Sequence, residues 1–89
     1  MSEIRKRIVF HGRVQEVGFR YTAKYLALNL GLKGWVRNEY YGTVLMEVQG
    51  DERLIQKMLV SLNSQRYIRI EWMDSEEIPL GTEKSFSAR

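Results

Sequence analysis

Apolar and polar positions alternate from Arg7 to Gly12, with Ile8 and Phe10 on one side and Arg7, Val9 and His11 on the other. A period of two marks a strand with one core face. From Phe19 the period lengthens. Phe19, Ala23, Leu26, Ala27 and Leu30 form a helical stripe, and Gly31 falls just past its end, where a left-handed residue closes a helix. Gly34 to Asn38 predicts a short strand carrying Trp35 and Val36. Glu39 to Gly42 reads as a hairpin connection and Thr43 to Gln49 as the partner strand. Gly50-Asp51 interrupts the pattern, and Asp51 is placed to cap a helix with the stripe Leu54, Ile55, Met58, Leu59 and Leu62. Tyr67 to Met73 alternates again, with Ile68, Ile70 and Trp72 expected on one face. Ser85 to Ala88 reads as a short edge strand, and Pro79 lies between elements.

The order strand–helix–strand–strand–helix–strand predicts an α+β fold, the ferredoxin-like α/β sandwich (βαββαβ), with both helices on one face of an antiparallel sheet. These elements fill the 89 residues, so the expectation is a single domain over 1–89 with no linker or repeat. With no cysteine, a disulfide framework, a thiolate metal site and a thiol nucleophile are excluded. His11 is the only histidine, which excludes a zinc site built from several imidazoles. The N-terminal residues lack an apolar signal core and no apolar run approaches ~18 residues, so a cytoplasmic, unanchored chain is expected. The net charge of +3 divides unevenly, +5 over residues 1–40 and −2 over residues 41–89. The basic half has the field to draw in an anion, although a solvated basic face explains the same charges.

Candidate chemistry sits in that half, in Gly12 to Arg20, GRVQEVGFR. A turn containing glycine that runs into a helix start presents backbone N–H groups without intrahelical partners, and the helix dipole favours negative charge there. Gly18 permits close approach or positive φ, and Arg20 supplies a planar fork of donors for a phosphoryl group. A tight glycine turn beside a capping arginine accounts for the same residues. A second segment, GWVRN, ends in Asn38, whose amide can orient a water molecule or simply begin the hairpin turn. The nucleotide P-loop pattern G-x-x-x-x-G-K-[ST] is absent. His11, next to the loop, reads as a hydrogen-bonded structural histidine.

GRVQEVGFR, GWVRN, GTV and VQG, in this order and spacing, resemble the acylphosphatase family, strongly from Ile8 to Gly50. The resemblance implies a small enzyme, without metal or cofactor, that hydrolyses the carboxyl-phosphate bond of acyl phosphates. It places Arg20 on the family's phosphate-binding catalytic arginine and Asn38 on the asparagine that positions the attacking water. The N–H groups of Gln15, Glu16, Val17, Gly18, Phe19 and Arg20 would form the substrate-binding cradle, with the substrate's own phosphate assisting proton transfer. The expected partners are a small-molecule acyl phosphate and, as site ligand, inorganic phosphate or sulfate. Neither nucleic acid nor membrane is expected, and the fold works as a monomer.

The chain departs from the family pattern at Glu16, where glycine is usual, and at Glu39, where threonine or serine is frequent. Tyr40 and Tyr41 replace short polar residues of the hairpin. If position 16 requires φ > 0, glutamate is strained there. Its carboxylate is expected to point to water, because the cradle is made by backbone. The expectation is therefore an acylphosphatase with activity below that of a glycine-bearing relative, the alternative being a weakened phosphate-binding or regulatory domain. The fold also allows an RNA-binding module with Trp35, Tyr40 and Tyr41 as stacking rings, but the RNP1 pattern is absent.

Overall fold

A computed structural model describes residues 2–89. Strand β1 covers Glu3–Arg13, helix α1 Phe19–Asn29 and strand β2 Lys33–Asn38; a single 3-10 turn, Tyr40–Gly42, leads to strand β3, Val44–Asp51. Helix α2 follows at Glu52–Asn63, then strand β4 at Arg69–Ile78 and strand β5 at Phe86–Ala88. The sheet order is β4-β1-β3-β2-β5. The first four strands in chain order pair antiparallel, as the alternation predicts, whereas β5 joins the β2 edge in parallel, so the sheet is mixed.

The stripes read from the sequence form the core. Ile8, Phe10, Val36, Val44, Met46 and Val48 of the sheet meet Phe19, Ala23 and Ala27 of α1 and Ile55, Met58 and Leu62 of α2, all buried. Leu26, Leu30 and Leu54 pack against this cluster while partly exposed. Asp51 caps α2, its Oδ1 accepting from the N–H of Arg53 at 2.8 Å. Phe10 and Phe19 lie tilted with ring centroids 4.9 Å apart. This pair fixes the first residue of α1 to β1 and thereby sets the direction from which Arg20 leaves the helix.

Two strands are longer than the alternation suggests, for one reason. The residues that β4 adds beyond Met73 pair in register with β1, Glu76 opposite Arg7 and Glu77 opposite Lys6. Opposite charges across a ladder support pairing without apolar periodicity, and charge on an edge strand guards it against further pairing. The expected single face for Ile68, Ile70 and Trp72 is corrected. Gly12 pairs with Ile70 and His11 with Trp72, so Glu71 is an extra residue, a β-bulge. Trp72 therefore turns to the helix-free face and stacks on His11, ring centroids 4.3 Å apart and 13° between planes. Glycine is required opposite the bulge. At φ 127°, a Cβ on Gly12 would run into the carbonyl oxygen of Arg69.

The chain from β4 to β5 crosses the helix-free face as a strap. Gln49 holds the strap backbone at Gly81 in both directions, accepting from its N–H at 2.8 Å and donating to its carbonyl at 3.3 Å. Arg5 is 3% exposed beneath it. Its guanidinium donates to Glu47 at 2.9 and 3.0 Å, to Gln49 at 3.0 Å and to Glu83 of the strap at 2.7 Å. Burial opposes the Arg5 charge, but the Glu83 and Glu47 carboxylates outweigh it and hold its pKa above the usual value. Trp35 is also buried, with the guanidiniums of Arg89 and Arg37 at 4.7 and 5.2 Å from its ring centroid. It is therefore no platform for a base. Among the described residues no helix is long and apolar enough to cross a membrane.

Candidate active site

The segment between β1 and α1 forms one wall of the site. Val14 is buried in the core, Val17 packs against it, and Gly18 precedes α1 at φ 77°. Gly18 carries no side-chain cap and the first turn of α1 no acidic residue. The first N–H groups of α1 thus keep their electropositive field. Glu16 lies at φ 61°, so position 16 does take the left-handed conformation that strains a glutamate. Its side chain is exposed, with no hydrogen-bond or ion-pair partner among the described residues.

Opposite stands the end of β2. Val14, Glu16, Gly18, Phe19, Arg20, Tyr21 and Asn38 line one hollow of about 230 Å3. Arg20 and Asn38, far apart in the chain, thus face a common space. Arg20 does not swing freely: its Nη1 donates to the backbone carbonyl of Arg89 at 2.7 Å, while the Arg89 N–H donates to the carbonyl of Val36 at 2.8 Å. The continuation of β5 along β2 therefore ends against the arginine. Asn38 pairs with Val44 at the end of the β2–β3 ladder. It also borders a second hollow of about 390 Å3, shared with Glu39 and Tyr40. The Glu39 carboxylate accepts from Nε of Arg37 at 3.0 Å, so this departure from the motif is partly neutralised by its neighbour.

Of the sequence-derived residues, Glu16, Gly18, Phe19, Arg20 and Asn38 border the hollow. Val17 turns inward to the core, and the Gln15 side chain turns to the hairpin, where Nε2 donates to the carbonyls of Glu39 and Thr43. Tyr21 and the Arg89 carbonyl were not anticipated. Tyr21 was legible in principle, since it follows Arg20 on an exposed helix face; no local pattern announces a contact between residues 20 and 89. His11 stays outside the site, its Nε2 2.8 Å from Oδ2 of Asp74.

Comparison with known proteins identifies the family. The family model for acylphosphatase matches residues 6–88. The chain belongs to the acylphosphatase family. It is 41% identical to the acylphosphatase of Ligilactobacillus salivarius, over 91% of this chain and 92% of the relative. Identity to the acylphosphatase of Clostridium perfringens is 44%, over 94% and 97%. Among solved structures, the acylphosphatase of Bacillus subtilis superposes with TM-score 0.89 at 30% identity, over 97% of this chain and 98% of that one. The chain is accordingly an acylphosphatase-type hydrolase acting on small-molecule acyl phosphates.

Proposed function

We propose that the hollow beside α1 is where acyl phosphate is hydrolysed, with Arg20 and Asn38 as catalytic residues. The phosphoryl group lies on the backbone N–H groups of Gln15 to Arg20, and the Arg20 guanidinium offsets its charge. Asn38 orients a water molecule toward phosphorus from the opposite wall. The water oxygen bonds to phosphorus as the bond between phosphorus and the acyl oxygen breaks. The carboxylate leaves with the bonding electron pair, and a phosphoryl oxygen takes the water's proton. A carboxylate is a good leaving group, so positioning and charge stabilisation carry most of the rate. The reading takes residues 1–89 as one domain, supported by the core that α1 and α2 close over one sheet face, and takes it to work as a cytoplasmic monomer without a cofactor.

The observation that carries this reading is the shared hollow of Arg20 and Asn38 at a helix start without a side-chain cap. Acetyl phosphate hydrolysis by Arg20→Ala and Asn38→Ala tests it. Loss of one preorganised charge-stabilising group lowers kcat about 100- to 1,000-fold; wild-type turnover in Arg20→Ala overturns the assignment. Glu16, left-handed and placing a glutamate at the border of the hollow, favours a second reading, a domain that binds phosphate with little turnover. Phosphate binding by calorimetry together with negligible hydrolysis by the unaltered protein would establish that reading instead.

A further inference from the structure

We infer that the side chain of Gln15 is a positioning residue: it locks the hairpin that presents Asn38 to the phosphate cradle. The inference rests on Asn38 as the water-orienting group. Gln15 Nε2 has two hydrogens, and both are used across the site, one on the carbonyl of Glu39 at 2.7 Å and one on the carbonyl of Thr43 at 2.8 Å. Those carbonyls are not arbitrary. The Glu39 N–H donates to the same Thr43 carbonyl at 2.9 Å, the bond that closes the turn. Asn38 immediately precedes Glu39, and its ladder partner Val44 immediately follows Thr43. Gln15 thus seals the hairpin where Asn38 leaves β2.

The turn needs such a brace. Within it Tyr41 is left-handed at φ 67° without being glycine, and Tyr40 and Tyr41 stand almost wholly in solvent, contributing little packing. Among the described residues, the two Gln15 bonds are the hydrogen bonds that join the cradle loop to the hairpin. They set the distance between the surface that holds phosphate and the residue that aims water at it. A shift of about 1 Å between such groups costs up to about 100-fold in rate.

Gln15→Met keeps the length of the side chain and removes both donors. Its kcat for acetyl phosphate is expected to fall about 10- to 100-fold. KM and inhibition by inorganic phosphate should stay near wild type, because the cradle amides remain, and exchange of the Glu39 amide hydrogen should accelerate. In Asn38→Ala, adding Gln15→Met should cost little more, since the residue it positions is gone. The proposal is overturned if the two losses multiply in the double variant, if kcat is unchanged, or if the loss is in KM and phosphate inhibition. Wild-type turnover in Asn38→Ala removes the underlying reading of Asn38. An impaired Asn38→Ala with multiplying losses removes the Gln15 proposal alone. Near-ultraviolet circular dichroism and a cooperative melt establish that each variant is folded.

Discussion

Replacing Arg5 by methionine should be among the most damaging single changes outside the active site. Methionine fills much of the space of the arginine stem but carries no charge and no donors. Arg5 is 3% exposed and bonded to Glu47, Gln49 and Glu83. Deleting one partner of a buried ion pair generally costs about 3–5 kcal/mol, because the other charge remains desolvated. Two features lower that figure. Glu47 keeps a second cation, Nε of Arg7 at 3.5 Å, and the Glu83 side chain, 30% exposed, can take up water once released. A loss of about 2–3 kcal/mol results. For a domain of this size that corresponds to a Tm lower by about 10–20 °C, or a urea midpoint lower by about 2 M.

The same network predicts how the loss depends on pH. The hydrogen bond from Arg5, offset in part by desolvation, holds the Glu83 carboxyl below its usual value. A carboxyl with a folded pKa below its unfolded one stabilises the protein above the unfolded value of about 4.3, and this contribution fades as pH falls through the folded value. The gap in Tm between wild type and Arg5→Met should therefore be full at pH 7 and narrow below pH of about 4. Melts followed by circular dichroism across pH 3–7 measure it. A variant that melts within about 2 °C of wild type at pH 7 refutes the reasoning. It would mean that the strap is held by the Gln49–Gly81 bonds alone. Because the strap leads to β5 and the Arg89 carbonyl that holds Arg20, kcat/KM should also fall well below the melting temperature.

Glu16→Gly relieves a left-handed residue worth about 1–2 kcal/mol and loses about 0.5–1 kcal/mol to the greater freedom of unfolded glycine. A Tm raised by a few degrees and a higher kcat/KM on acetyl phosphate are expected; a lower kcat/KM would show that Glu16 is no impediment. Gly12→Ala forces a Cβ against the Arg69 carbonyl and within 2.8 Å of the Glu71 nitrogen, so urea denaturation should show a loss of about 2–4 kcal/mol. Asp51→Ala should lower Tm at neutral pH. The Arg53 N–H, with a smaller contribution from its charge against slight desolvation, holds the Asp51 carboxyl low. That deficit disappears as pH falls through about 4, and a deficit independent of pH would deny Asp51 its capping role.

What the sequence made legible follows the range of the interactions concerned. Both helices were readable because their stripes bury a face, and the cradle was readable because a glycine turn, a helix start and an arginine adjoin in the chain. Beyond Met73 β4 was silent: an edge strand exposed on both faces has no alternation to display, and only its register with β1 sets Glu76 and Glu77 opposite Arg7 and Lys6. The bulge at Glu71 was silent too, since one extra residue reverses the facing of Trp72 without changing the local pattern. The least legible parts are those that assemble the site, the Arg20–Arg89 and Gln15–hairpin bonds, which join distant residues through the backbone carbonyl of one partner. A carbonyl is the same atom in every residue, so the identity of Glu39, Thr43 or Arg89 carries no trace of being an acceptor. The donor side alone is written in the sequence, as an arginine and a glutamine whose reach only the fold can aim.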